Sequence, residues 1–452
     1  MEASKEEPMG LCPQYMQEFS CIGGACEANC CDTPWTIYLD RKRYNQLKEA
    51  LSHSRTDREL AQKAFKRNRS SDKTDSSYAK IVPANGKCIF HDADGLCAIQ
   101  RRFGEGCLGQ VCRTYPRMLR VMGNRLEMTG TFSCPEVVRS CLFAEQAMDV
   151  VSFDPSLYNG NRYACSQGAV DPTDPYSSQQ DGIRDIALSV LADDQQPFQR
   201  RLFSLLYFAH RSREFLYAGA TVFNEAQLIS EVDRLAEGVY ADIWEQHFAS
   251  QEPPLHLPMT VIQGLLAGCY AKASPEFRDL LTGVWQTYAR INDLGQFLHI
   301  NRSADTVSLE CSQLLELYQT RSRLMEEQFQ TPLDEALARY LQNLVLKEPY
   351  TAYPDLFAWV YDLVLRTALL RFLVISHPGL DAWLQAGEAA AEDQLPSDNG
   401  AAPEPLAQTL VDVLFRFSRG LEHNKRFLPG LKESLQAQGM QDLAHAVLLL
   451  KL

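Results

Sequence analysis

Twelve of the fourteen cysteines in this chain of 452 residues fall within the first 165, and only Cys269 and Cys311 lie beyond. The tight groups run in the order CIGGACEANCCDTPW, CIFHDADGLC, CLGQVCRTYPR and SCPE. They supply Cys21, Cys26, Cys30 and Cys31, then Cys88 and Cys97, then Cys107 and Cys112, then Cys134. Thiolates this dense are soft ligands that favour zinc or iron-sulfur clusters over hard cations. In a reducing compartment clustered cysteines are more often metal ligands or catalytic thiols than disulfides. The one histidine near them is His91, so the thiol-only supply tilts toward a four-cysteine iron-sulfur cluster, with zinc held by four thiolates left open. Neighbouring residues of an extended chain point opposite ways, so Cys30 and Cys31 reach one metal only where the backbone bends sharply. The competing reading is that cysteine is a small buried hydrophobe. It is the better reading for the lone Cys269 and Cys311, and Cys12, Cys141 and Cys165, outside the tight groups, are read as core.

The elements that must position these thiols are short. Trp35 to Leu39 is aromatic and β-branched and reads as a strand entered from a turn at Asp32 to Pro34, with a helix following to Leu51. Residues 52–80 are polar and charged and read as a mobile insert. In Cys88 to Ile99 two short apolar runs flank Asp92 to Gly95, which predicts a hairpin with a thiol at each end, the geometry of a metal knuckle. From about Asp181 the apolar period becomes helical: Leu202, Leu205, Leu206 and Ala209 form one face, and Val307, Cys311, Leu314, Leu315 and Tyr318 another. Thr331, Pro332, Asp334 and Glu335 read as a capped helix start. Residues 387–405 read as a flexible loop, and Leu406 to Gly420 as a helix closed by its glycine. The expected fold class is mainly α: a cysteine-rich metal unit with a short β hairpin over residues 1–165, then an all-helical domain over 181–452.

Composition removes several classes. The formal charge of -13 disfavours a nucleic-acid partner. The charge is uneven, with twelve Lys and Arg against five Asp and Glu in residues 41–80 and 31 against 45 in 81–452. The acidic part could attract a lysine-rich protein, although solvated surface is the simpler account. The greasiest stretch, Asp355 to Ser376, carries Asp362, Arg366 and Arg371, so no membrane span is expected. The N-terminus is acidic and lacks a secretory pattern, which predicts a cytoplasmic protein. Cys26 and Cys30 give the first interval of the radical S-adenosylmethionine loop, but position 33 is threonine. No G-x-G-x-x-G follows a predicted strand, and neither a P-loop nor an H-E-x-x-H helix is present.

The set FSCIGGACEANCC, a tryptophan-led strand ending in Asp40, the C-x8-C around DADGLC, then CRTYPR and SCPE resembles the flagellin lysine N-methylases over roughly residues 12 to 141. It is similar, more loosely, to the wider cysteine-cluster proteins. The resemblance implies transfer of methyl groups from S-adenosylmethionine to lysine side chains of flagellin by a protein carrying a 4Fe-4S cluster. Position by position, Cys21, Cys26, Cys30, Cys31, Cys88, Cys97, Cys112 and Cys134 match the family's cysteines, with Cys107 less secure. The family often has Gly-Trp after the double cysteine and Pro-Phe after the hairpin's first cysteine, where this chain has Thr33-Pro34-Trp35 and Ile89-Phe90. Such a reaction needs a neutral lysine amine and aromatic faces for a sulfonium and a methylated amine. Trp35, Tyr38 and Tyr115 are the candidates inside the motifs, against a plain packing role. Arg117 is the candidate for the carboxylate of the methionine moiety, against pairing with a structural acid. No residue is assigned as the base. Two other readings stay open, a non-enzymatic metal-binding or electron-transfer module and a zinc-stapled adaptor. About 270 further residues of patterned helix suit an enzyme that grips a protein better than either.

Overall fold

Asp40 accepts a hydrogen bond from the backbone N–H of Arg43 and so caps the helix Arg41–Ala50, in the place where the sequence predicts a helix. That helix belongs to the first of two compact units in the computed structural model: Met1–Ser140 with Asp149–Gly168, and Cys141–Met148 with Ala169–Leu452. The structure describes residues 9–32, 36–70, 74–122, 125–156, 166–168, 173–220, 223–251, 256–270, 273–288, 304–386, 402–423, 435–436 and 439–452.

Among its described residues the first unit holds ten short strands: β1 (Met9–Pro13), β2 (Tyr38–Leu39), β3 (Phe65–Arg67), β4 (Ala79–Ile81), β5 (Pro83–Ala84), β6 (Lys87–Cys88), β7 (Arg117–Met122), β8 (Arg125–Gly130), β9 (Val150–Phe153) and β10 (Ser166–Gly168). They form a five-stranded sheet ordered β10-β7-β8-β1-β9, a three-stranded sheet β2-β4-β3 and the pair β5-β6. The five-stranded sheet is more β structure than the sequence predicts, because two of its pairings, β1 with β8 and β10 with β7, are parallel and join distant segments. Tyr15 locks it by accepting at its hydroxyl oxygen: the Gly130 N–H donates to Tyr15 Oη at 2.8 Å. A separate core of Ile37, Leu39, Leu47, Leu51, Ala64, Ile81, Phe90, Ile99 and Leu108 lies under the small sheet, with Cys88, Cys97, Cys107 and Cys112 packed against it.

Residues 52–80 are not a mobile insert where they are described. Ser54 caps the helix Arg55–Ala64, which runs into β3, and β4 returns antiparallel to it. Polar composition misleads here because the buried positions are small: Ala64 and Ala79 are both fully buried, and the apolar stripe is narrow.

The second unit is helical, and among its described helices Gln180–Ala192, Phe198–Ser212 and Leu356–Ile375 pack around a shared core. Leu202, Leu205, Leu206 and Ala209 are buried as their spacing predicts. In Leu356–Ile375 every residue but Ala358 is buried, so apolar side chains all round the helix reflect a central position. Among the described residues no helix is long and apolar enough to cross a membrane.

Two predicted boundaries are corrected. Pro332 does not start a helix but lies inside the 44-residue helix Ala304–Lys347. Burial of Phe329, Leu333, Ala336 and Leu337 on both sides carries the helix past the missing N–H, and Asp334 faces Arg371 instead of capping. Gly420 does not end the helix Glu404–Phe417, which continues as the π-turn Ser418–Glu422. A methyl at Gly420 would sit 2.6 Å from the Phe277 ring, so the glycine admits that ring. The predicted loop at 387–405 lies outside the described residues up to 401, and the helix begins at Glu404.

Candidate functional site

The loop 21–32 is tied to the segment 88–97 by polar contacts, and this brings thiols from both together. Asn29 donates its side-chain amide to the Gly95 carbonyl and accepts from the Cys31 N–H at 2.9 Å. The Cys88 N–H bonds the Cys31 carbonyl at 2.8 Å. Asp32 sits 2.9 Å from Lys87 Nζ and 3.0 Å from His91 Nδ1. Gly95 turns at φ +73°, and its Cα side faces Gly24; a methyl at Gly24 would lie 2.8 Å from the Asp94 carbonyl oxygen. The hairpin predicted over Cys88 to Ile99 is reduced to a single bridge between His91 and Cys97, closed by Asp92, which accepts from the Asp94 and Leu96 N–H groups, and the β5-β6 pair precedes it.

The eight matched cysteines separate into two groups. The Cys31 thiol hydrogen-bonds with those of Cys30, Cys88 and Cys97 and keeps its proton far above the usual thiol range, first through the Cys30 contact, then Cys88 and Cys97. A backbone turn, with the Asp32 N–H bonded to the Asn29 carbonyl at 3.1 Å, is what lets adjacent Cys30 and Cys31 meet. The same proton stabilises the opposing thiolates: Cys97 falls to about 6, led by the Cys31 hydrogen bond, and Cys88 is lowered for the same first reason. Cys112 is raised by burial and then by the charges of Cys97, Cys88 and Cys30. Cys134 stands apart: burial pushes it up to about 12, and the charged neighbours it senses are Cys26 and Cys21. Glu27 pairs with Arg139, which also reaches Glu136 at 3.2 Å, so the loop of Cys21 and Cys26 is held beside the helix Pro135–Phe143 that follows Cys134.

These donors suit a soft metal or an iron-sulfur cluster by type and by convergence. Among the described residues no group of three or more His, Cys, Asp or Glu is already arranged as an ion cage, and the thiols instead touch through hydrogen bonds. His91 presents a buried Nε2 that has no partner among the described residues, while Asp32 engages its Nδ1. That carboxylate-imidazole pairing is the arrangement that orients a metal-binding histidine.

The other candidates are scattered. Trp35 lies outside the described residues, as does Cys165, and nothing is described of the Cys269 and Cys311 side chains. Cys12 and Cys141 are buried, and burial raises the Cys12 thiol to about 11. Tyr38 is 43% exposed on β2. Tyr115 is half-buried and its oxygen accepts from the Ser133 hydroxyl at 3.3 Å. Arg117 stacks on Phe19 at 5.3 Å and is not paired with an acid among the described residues, its buried Nε unsatisfied.

The second unit contains a charge cluster that sequence reading used only to argue against a membrane span. Arg366, 2% exposed, contacts Asp362 at 2.9 Å, Glu348 at 2.9 Å and Glu422 at 3.1 Å. Glu422 also meets Lys347 at 3.2 Å and accepts from Tyr340 at 2.8 Å and Ser418 at 2.7 Å. Burial opposes ionisation of Glu422, but Lys347 and Arg366 with those hydroxyls outweigh it and hold the carboxyl far below its usual range. The available signal was the i, i+4 pair Asp362 and Arg366 inside an otherwise apolar helix.

The family model described as the FliB lysine N-methylase C-terminal domain matches residues 184–449. A lysine-N-methylase of Salmonella typhimurium strain LT2 is 24% identical over 333 residues, covering 73% of this chain and 72% of that protein. The flagellar biosynthetic protein FliU of Salmonella muenchen is 32% identical over 142 residues, covering 30% of this chain and 78% of that protein. No solved structure matches. The family model spans more than half of the chain, nearly all of the helical unit, and the chain therefore belongs to the FliB lysine N-methylase family and is a protein-lysine N-methyltransferase.

Proposed function

We propose that the chain moves methyl groups from S-adenosylmethionine to lysine side chains of flagellin in the cytoplasm, and that its N-terminal thiols hold a 4Fe-4S cluster on which the reaction depends. The observation that carries the cluster assignment is the meeting of Cys30, Cys31, Cys88 and Cys97, with Cys112 beside them, at one loop-hairpin junction. The flagellar name of one relative supports the substrate.

Cys88, Cys97, Cys112 and one of the Cys30-Cys31 pair would hold the cluster, which when bound supplies a rigid staple and an electropositive iron able to bind an amino acid. The chain's own residues do the rest. Arg117, without an acidic partner among the described residues, offers its guanidinium for the carboxylate of the methionine moiety, with Phe19 against it. The substrate lysine, with a reference pKa of about 10.4, gives up its proton in an apolar setting before its nitrogen attacks the methyl carbon. The carbon-sulfur bond breaks, the sulfonium leaves as a neutral thioether, and the new ammonium releases a proton. Tyr115, half-buried beside Ser133, is the better placed of the two tyrosines to face a cation in a dry setting.

The experiment is to incubate anaerobically purified protein with flagellin and S-adenosylmethionine and weigh the flagellin for steps of about 14 Da, one methylene each. Steps requiring both protein and donor support the reading, and their absence in metal-loaded protein overturns it. The buried Nε2 of His91 favours zinc as the second reading of the metal. One zinc per chain without iron would replace the cluster with that reading.

A further inference from the structure

The small sheet β2-β4-β3 has two faces of opposite character. Its inner face, through Leu39, Ala79, Ile81 and Phe65, packs on the same core that carries Cys88, Cys97 and Cys112. Across its outer face runs the row Tyr38, Lys80, Lys66, set by the register that puts Tyr38 opposite Lys80 and Lys80 opposite Lys66. Like charges directly opposite each other in neighbouring strands destabilise a sheet. Neither ammonium has a carboxylate partner among the described residues, and Tyr38 is open to solvent. At the margin Arg67 is held 3.6 Å over the Tyr78 ring, and Arg41 lies 5.8 Å over the same ring, both without an acidic partner among the described residues. The described residues do not neutralise this row, which leaves it open to a counter-charge from outside the fold.

We propose that this face docks an acidic stretch of the protein whose lysine is methylated; the proposal rests on the methylase reading and narrows its substrate to lysines accompanied by carboxylates. Charge complementarity selects the partner. The face belongs to a segment with twelve basic and five acidic residues in a chain of net charge -13. At physiological salt, fields are screened beyond about 8 Å, so a short acidic segment senses the local basic row. The net charge of -13 disfavours a long nucleic acid as the occupant. The shared core places the docking row and the thiols in one small module, so a bound polypeptide is held beside the site assigned to the chemistry.

The test uses the full chain and a fluorescein-labelled glutamate-rich peptide, read by fluorescence anisotropy without methyl donor, so that it is independent of methyl transfer. Replacing both lysines, Lys66→Gln with Lys80→Gln, is expected to weaken peptide binding about tenfold at low salt and to flatten its salt dependence. The melting temperature should hold or rise, because the repulsion across the strands is relieved. KM for the protein substrate should rise with kcat unchanged. Unaltered peptide affinity in the double variant would overturn the proposal. So would displacement of the labelled peptide by a DNA oligonucleotide at lower charge-equivalent concentration than by the unlabelled peptide. Loss of methylation by the unsubstituted protein, with peptide binding intact, would instead count against the methylase reading alone.

Discussion

Replacing Arg366 by leucine removes the guanidinium that meets Asp362, Glu348 and Glu422 together. Three charged contacts are lost, at 2.9, 2.9 and 3.1 Å. The Glu348 contact counts for little, since that carboxylate is 31% exposed and water can take over. Glu422 keeps Lys347, Tyr340 and Ser418. Asp362, fully buried, loses its 2.9 Å contact with the guanidinium and keeps the Tyr353 hydroxyl at 2.7 Å. Breaking a buried pair by removing one partner costs about 3–5 kcal/mol, most of it from the stranded charge. The expected loss for Arg366→Leu is therefore about 3–5 kcal/mol. Urea unfolding followed by tryptophan fluorescence measures it, because Trp244, Trp285, Trp359 and Trp383 all lie in the second unit. The double change Asp362→Leu with Arg366→Leu removes the stranded carboxylate and should regain part of the loss. A single variant that loses less than about 1 kcal/mol, or a double variant worse than the single, would refute the view that the stranded charge sets the cost.

Glu422, ionised well below its usual range in the fold, binds fewer protons folded than unfolded, so its contribution to stability is present above the unfolded pKa of about 4.3 and fades as pH falls through the lower folded value. Acid titration of stability should show this loss, and Glu422→Gln should remove it from the profile. Gly24→Ala drives a methyl to 2.8 Å from the Asp94 carbonyl and should separate the loop from the hairpin, lowering metal per chain while leaving the far-ultraviolet circular dichroism of the helical unit unchanged. Cys31→Ser and Cys97→Ser should each lose metal, and full retention in both would overturn the ligand set. Gly420→Ala presses on Phe277 and should cost about 1–3 kcal/mol in the same urea assay.

The chemistry was legible in the sequence where it depends on residue type and local spacing. Thiol density alone is what predicts a soft-metal site, and the Asp92 to Gly95 turn brings Cys97 back toward Cys88. The helical period of Leu202, Leu205, Leu206 and Ala209 marked their buried face because a single helix fixes that geometry. Charge counts located the basic segment. They did not reveal that Lys66 and Lys80 face each other, since strand register is set by pairing between segments.

Other features depended on partners far along the chain. Polar composition hid the packed structure around Ala64 and Ala79, and a capping pattern at Pro332 gave way to burial on both flanks. Gly420 looks like a stop but serves as room for Phe277. By itself the sequence determined the crowding of thiols in the N-terminal part, the mainly helical class and the family, all set by residue type and by neighbours in the chain. Only the tertiary structure decided which thiols meet, that Arg366 gathers three carboxylates and that a row of lysines is left open, because these are contacts between segments whose separation in sequence carries no geometry.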